Sequence, residues 1–436
     1  TAGGCGLREA DSQLTCSFTK EGLEMLMDNT LELLGITDSN IKITRFSAES
    51  VNGEKRNVIE ARLTYNVDRC PYCESEKVVR NGSKILHTRL TELHQERFEM
   101  KLYKQRYLCK ECLKTWSART DIVEEGHTLS HQLKRSVLHM AREGITATGI
   151  ARICHCSPSS VIRIIDEAVE LKSRVARLPE NLCFDEFRSV NSTMSFICCD
   201  AEGSHDIVAI LENRLTKTIR EHFMNRYTNR ERAAVKSVVV DLNAQYIKFI
   251  KALFPNARII IDRFHIVQLV GRALGNARIS LMKKMNDCHC REYKILKAHW
   301  RLFHKDSADL EAARSVYLRG VNEYMTQQNA LDLIVKNHPQ FEKVYDAYQD
   351  VFNALKEKNR ERLIDVLENY RRSGQNMDTA ISTLKKNMTA VLNSVEYDFS
   401  NGPVEGINRR IKSLKRSCFG FRNLDNFRKR IALIRS

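Results

Sequence analysis

The chain has 436 residues, 42% of them hydrophobic, enough to bury cores in two to four domains. No run approaches the roughly 20 apolar residues of a membrane-crossing helix, and no basic segment leads into an apolar one as in a secretory signal, so a cytoplasmic, nucleoid-associated protein is expected. The formal charge of +16 is uneven: residues 401–436 hold ten Lys/Arg against Glu405 and Asp425, which suggests a polyanionic partner, nucleic acid before membrane.

Residues 1–26 lack periodicity at their start and read as a leader or added extension, with Met27 opening a more ordinary beginning. Residues 27–125 alternate apolar and polar at a period of two in "NIKITRF", "NVIEARLTYNV", "ERFEMKLYKQRYLC" and "KTWSART", the pattern of half-buried strands. Within them Cys70-Pro-Tyr-Cys73 and Cys109-Lys-Glu-Cys112 form two matching C-x-x-C knuckles. Four thiolates from two such turns suit tetrahedral Zn²⁺, and a closed four-sulfur site leaves no position for substrate, so a structural zinc ribbon is expected. The long interval between the knuckles requires a hairpin. Most other cysteines read as reduced thiols. The triplets Cys154-His155-Cys156 and Cys288-His289-Cys290 are compact and lack a partner, so neither reads as a metal site.

Residues 128–178 read as three helices in a helix-turn-helix pattern, with Ser157 as cap and Pro158 at the first helical position of the third. Ser159, Ser160 and Arg163 lie on or near one face of that helix and can meet a major groove, while Lys134 and Arg135 can meet phosphates. An ordinary helical bundle is the plain alternative.

Residues 180–265 read strand, strand, strand, helix, strand, helix, strand, a mixed sheet. Residues 266–395 hold a single proline, Pro339, and read as an all-helical insertion. Residues 396–436 read as a final helix and basic tail returning to the sheet domain.

Three acids stand at the ends of these elements. Strand-like "NLCFDEF" reaches Asp185, "VKSVVVDL" reaches Asp241, and "SNGPVEGIN" puts Glu405 in the first turn of a helix, where the helix dipole favours the charged form. A buried carboxylate is costly unless paired. Three such acids can hold two Mg²⁺ (or Mn²⁺) ions for phosphodiester chemistry. Asp241 can instead cap the next helix. Asp262 competes as second acid, Glu186 and Asp200 lie near, and His265 can orient a ligand or serve the sheet structurally. Arg409 and Lys412 follow Glu405 on roughly its face and can hold phosphates; Arg410, Lys415 and Arg416 continue the basic run. The order of acids behind a DNA-binding front end is that of an RNase H-like nuclease fold with an insertion. The expected class is thus α+β multidomain: zinc ribbon, helix-turn-helix, and an RNase H-like mixed-sheet domain interrupted by helices.

The "CPYC…CKEC" module, "FDEF", "VVVDLNAQYIKFIKALFPNARIIIDRFHIVQ" and "SNGPVEGINRRIKSLKRSCFGFRNLDNFRKRI" together resemble the ISL-three family of DDE transposases from bacterial insertion sequences. The resemblance covers nearly everything after Met27. It implies that Asp185, Asp241 and Glu405 form a catalytic triad, with Asp262 and His265 resembling an auxiliary acid-x-x-His element. It implies metal-dependent strand cleavage and transfer on double-stranded DNA, at terminal inverted repeats and a target. Two ends must meet, so a homodimer or larger assembly on DNA is expected. A non-enzymatic zinc and helix-turn-helix regulator is the main rival; a recombinase using Tyr246 or Tyr397 as nucleophile lacks an arginine-rich pocket.

Overall fold

A computed structural model describes residue 32 and residues 34–51, 54–93, 96–242, 244–374, 376–418 and 420–434. The extension read over residues 1–26 lies outside them. Among the described residues no helix is long and apolar enough to cross a membrane.

The chain divides into two units. The first comprises residues up to Glu170 together with Leu414–Gly420 and Asp425–Ser436; the second is Leu171–Ser413 with Phe421–Leu424.

In the first unit, β1 (Ile41–Val51), β2 (Glu54–Leu63), β3 (Val78–Arg89), β4 (Arg97–Cys109) and β5 (Thr115–Ser117) make one sheet in the order β1-β2-β4-β3, with β5 on β4. The period-two pattern decides its face. Ile59, Ala61 and Leu63 of β2 lie on one side, and the parallel register sets Ile59 beside Met100 and Ala61 beside Leu102, all fully buried. β3 and β4 form the hairpin that the cysteine spacing requires, pairing from Val78↔Cys109 to Arg89↔Glu99.

Three helices follow: α1 (His131–Arg142), α2 (Ala147–Ile153) and α3 (Pro158–Ala168). Each opens on a hydroxyl cap, Ser130, Thr146 and Ser157, whose oxygen accepts a backbone N–H two or three residues into the helix. Pro158 occupies the first turn of α3, as its sequence anticipates. Their core of Leu133, Val137, Ile150, Val161 and Ile164 also takes in Leu433.

In the second unit, β6 (Asn181–Arg188), β7 (Met194–Asp200), β8 (Ile207–Leu211), β9 (Ser237–Val240) and β10 (Arg258–Ile261) form a mixed sheet in the order β10-β9-β6-β7-β8. β6, β7 and β8 meander antiparallel; β9 and β10 run parallel to β6. α4 (Thr216–Arg226), α5 (Asn229–Ala233) and α6 (Ala244–Leu253) make the crossovers. All four residues of β9 are buried, as expected of a parallel strand covered on both faces.

After β10 come α7 (Arg263–Lys284), α8 (Arg291–Ala298), β11 (Val316–Leu318), β12 (Glu323–Met325), α9 (Gln327–Asn337), α10 (Pro339–Lys356), α11 (Arg360–Glu368), α12 (Asn376–Lys386) and α13 (Met388–Glu396). The all-helical expectation for 266–395 therefore needs correction, because β11 and β12 form an antiparallel hairpin. Strands of three residues give too little alternation to stand out from helical surroundings. Nor does this segment keep a core to itself: its buried residues are continuous with those of the sheet, and the Asn393 amide of α13 donates to the Ile259 carbonyl on the edge strand β10 at 2.8 Å.

The chain ends in α14 (Gly402–Ser417) and α15 (Leu424–Leu433). The sequence reading assigned all of 396–436 to the sheet domain. In the structure Leu414–Gly420 and Asp425–Ser436 group with the first unit. The reason is buried Arg430, whose guanidinium donates to the carbonyls of Ala141 (3.0 Å) and Ile145 (2.8 Å) at the end of α1. Lys429 adds an ion pair with Asp166 at 2.7 Å.

Candidate active site

In the first unit, the four cysteines of the two knuckles bring their sulfur atoms within 4.8 Å of one another, with Cys70 to Cys112 and Cys73 to Cys109 each at 3.6 Å. The knuckles are built alike. Glu74 and Leu113, each directly after a second cysteine, take φ of 58°, and their N–H groups return to the carbonyls of Cys70 and Cys109. The Cys112 and Glu111 backbone N–H groups hold the Cys109 thiol down at about 6, and the neighbouring sulfurs assist. Four soft donors in this arrangement fit Zn²⁺.

The sequence-derived DNA contacts fall in two groups. Arg135, Ser159 and Arg163 are exposed on α1 and α3, and half-buried Ser160 bonds the Ser157 hydroxyl at 2.9 Å. Lys134 is turned inward, its side chain 12% exposed and paired with Glu124 at 2.9 Å and Glu167 at 3.7 Å.

In the second unit the sheet aligns the acids. The register of β6 on β9 pairs Cys183 with Val239, and that of β9 on β10 pairs Val240 with Ile261. Continued upward, the same registers set Asp185, Asp241 and Asp262 at one level, Asp241 and Asp262 just past the carboxyl ends of β9 and β10 and Asp185 within the longer β6. Open α/β sheets bind their ligands at that edge. Adjacent strands lie about 4.8 Å apart, and the charges interact in pairs: Asp185 feels Asp241, and Asp262 feels Glu405.

Burial pushes the Asp185 carboxyl above its usual range, the Glu186 N–H (2.7 Å) and the Asn408 amide (2.7 Å) pull it back, and the Asp241 charge pushes it up again. Burial likewise raises Asp262, 4% exposed; the Asn401 N–H at 3.4 Å and the His265 ring oppose this, and Glu405 adds to it. Asp262, His265 and Glu405 each place a ligand atom within 4.8 Å of the others. Glu405 sits in the first turn of α14 with Arg409 at 3.8 Å. Arg409, Arg410, Lys412 and Arg416 are exposed along α14, and Lys415 is half-buried.

The nearby acids have other duties. Glu186, one residue on from Asp185 and so on the opposite face, accepts from Tyr246 Oη at 2.5 Å and from Arg214. Asp200 pairs in register with Leu182, three residues down β6 from Asp185, and its carboxylate turns the following hairpin by accepting the Glu202 N–H.

Two residues of this site escaped the sequence reading. Asn401 donates its amide to the Phe184 carbonyl and its backbone N–H to Asp262; Asn408 donates to Asp185. The available signal was spacing: Asn408 follows Glu405 by three residues, on one helix face. Both asparagine Oδ1 atoms are buried without a hydrogen-bond partner. Hard oxygen donors, an imidazole and raised, undercompensated carboxylates fit a divalent cation such as Mg²⁺ or Mn²⁺.

Residues 66–112 match the family model described as the zinc-finger of transposase IS204/IS1001/IS1096/IS1165. The chain is 24% identical over 195 residues to a transposase for insertion sequence element IS1001 from Bordetella parapertussis, covering 44% of this chain and 46% of that protein. It is 32% identical over 110 residues to a protein named ATP-dependent protease from Lactococcus lactis subsp. lactis, covering 25% of this chain and 36% of that one. The chain thus spans less than half the length of either relative. No Gly-x₄-Gly-Lys-Ser/Thr loop for a nucleotide occurs in this sequence. Over residues 182–431, more than half of its length, the chain matches the ISL3 transposase model, and it belongs to that family.

Proposed function

We propose that this protein is a DNA transposase that binds the terminal inverted repeats of an insertion sequence and cuts and joins DNA with a DDE triad of Asp185, Asp241 and Glu405. The carrying observation is the register that levels Asp185, Asp241 and Asp262 across β6, β9 and β10, with Glu405 of α14 reaching the same edge within 4.8 Å of Asp262 and His265. The strand order, three antiparallel strands flanked by two parallel ones, supports an RNase H-like domain.

Asp185, Asp241 and Glu405 would hold two Mg²⁺ or Mn²⁺ ions, with Asp262 and His265 sharing the site beside Glu405. Such ions would activate the attacking oxygen and stabilise the leaving one. The side chains do the rest. Asn408 and the Glu186 N–H aim Asp185 and favour its charged form against the effect of burial. Exposed Arg409 and Lys412 hold the backbone phosphate. Water then attacks phosphorus, the P–O3′ bond breaks, and a free 3′-hydroxyl remains opposite a 5′-phosphate. In a second displacement of the same kind that hydroxyl attacks a target phosphate, and no covalent enzyme intermediate forms. α3 reads the repeat through Ser159, Ser160 and Arg163, and the zinc ribbon supports that reading; two copies of the chain bring two ends together.

The test is cleavage of labelled DNA carrying the element's own ends, with Mg²⁺ or with EDTA. The expected result is metal-dependent nicking by the parent, and binding without nicking by Asp241→Asn. Cutting by that variant, with loss in Asp262→Asn, makes Asp262 the second acid. Binding without cutting by the parent, in metal, favours the regulator reading.

A further inference from the structure

The β11–β12 hairpin carries two large aromatic side chains on its outer face. Tyr317 and Tyr324 stand directly opposite each other, ring centroids 5.3 Å apart, and are 49% and 75% exposed. A two-stranded hairpin is marginal alone. This one is anchored from beneath, where Leu318, Val321 and Met325 enter the core. It is anchored at the side as well: His299 Nε2 meets the Arg319 carbonyl at 2.8 Å, Gly320 lies against Ala298, and Arg291 pairs with Glu323 at 2.6 Å. The rings are thus presented on a rigid base.

Cations stand beside the rings, together with the Glu311 carboxylate, which feels the Arg314 charge. Arg319 is exposed in the turn that follows β11, and Arg314 is exposed just ahead of β11; among the described residues neither forms an ion pair. α8, about 12 Å long, carries the hairpin anchors Arg291 and Ala298. Its Tyr293 and Lys297 line a cleft of about 400 Å³ shared with Arg278 and Lys283 of α7. Lys297 Nζ lies 5.8 Å from the Tyr293 ring centre. Rigid exposed rings interleaved with unpaired cations are the chemistry that receives unpaired nucleobases and their phosphates. A duplex hides its base faces and gives such rings nothing to stack on.

We infer that the β11–β12 hairpin, with Tyr317 and Tyr324 as stacking surface and Arg319 as phosphate contact, is a binding site for single-stranded DNA. This rests on the reading that the chain cuts DNA, since staggered cuts on the two strands leave unpaired nucleotides for such a site to hold.

The experiment compares full-length parent, Tyr317→Val/Tyr324→Val and Tyr317→Phe/Tyr324→Phe. The probes are a 30-base-pair mixed-sequence duplex, blunt or bearing a six-nucleotide dT overhang with one 2-aminopurine. Valine keeps strand propensity without a π face; phenylalanine keeps the face without the hydroxyl. The parent is expected to bind the overhang probe at least about 5-fold more tightly than the blunt one and to quench the 2-aminopurine. The phenylalanine variant should match it. The valine variant should lose preference and quenching while holding blunt duplex as before. Equal binding of both probes by the parent, with blunt duplex still bound, overturns this site and leaves the transposase reading standing. Failure of the parent to bind any probe overturns both. Preference and quenching that survive in the valine variant overturn the assignment to these tyrosines, and self-association lost in that variant with DNA binding unchanged reassigns the face to a second copy of the chain.

Discussion

Asp185 is a carboxylate within β6 whose burial opposes its charge and whose hydrogen-bonding neighbours offset that burial only in part. Its carboxyl is pushed up by burial, and the Asn408 amide favours the ionised form. A cation can be held only by that ionised form, so activity should rise as pH passes upward through the Asp185 titration. Removing Asn408 takes away a bond to the charged state and raises the titration further. The expected outcome for Asn408→Ala is an acid limb of the pH–rate profile displaced to higher pH. The rate on that limb should fall about ten-fold, the worth of one hydrogen bond to a charged group, with the alkaline plateau less affected. A uniform loss at every pH would show that Asn408 serves only the packing of α14.

At the scale of elements, α15 shows what sequence order conceals. Buried Arg430 answers two carbonyls at the end of α1 and lies 3.5 Å from the Cys418 sulfur. Arg430→Ala strands these acceptors and should destabilise the first unit by about 2–4 kcal/mol, measured as an earlier urea transition, while the second unit's transition stays in place. The sequence displayed most of the remaining architecture, because strands such as "SVVV" and "RIII" and caps such as Ser157 write their structure locally. The knuckles announced their partners by repetition; Asp185 and Asp241 were singled out where apolar runs stop, and Glu405 by its place in the first turn of a helix. Three things stayed hidden for one reason: they depend on residues far apart. Arg430 meets Ala141 across 289 positions, Asn408 meets Asp185 across 223, and the alignment of Asp262 with Asp241 exists only once β9 and β10 pair. β11 and β12 were missed for brevity instead.

For the molecule as a whole, the concentration of charge should govern how it holds DNA. Each phosphate neutralised by a Lys or Arg steepens the fall of log K with log salt by roughly 0.9. Replacing exposed Arg409 and Arg410 by alanine should flatten that slope by roughly 2 on any duplex, without changing which sequence is preferred. An altered preference with an unchanged slope would place these residues on base edges. The docking of α15 also bears on how the protein is made. Leu433 completes the core around α1, α2 and α3, so those helices, although translated early, remain unfinished until some 265 further residues have left the ribosome. A message cut short before α15 would yield neither a finished helical core nor, if it stopped ahead of Glu405, a complete set of acids. Premature termination would then tend to produce inert fragments rather than DNA-bound competitors of the full chain.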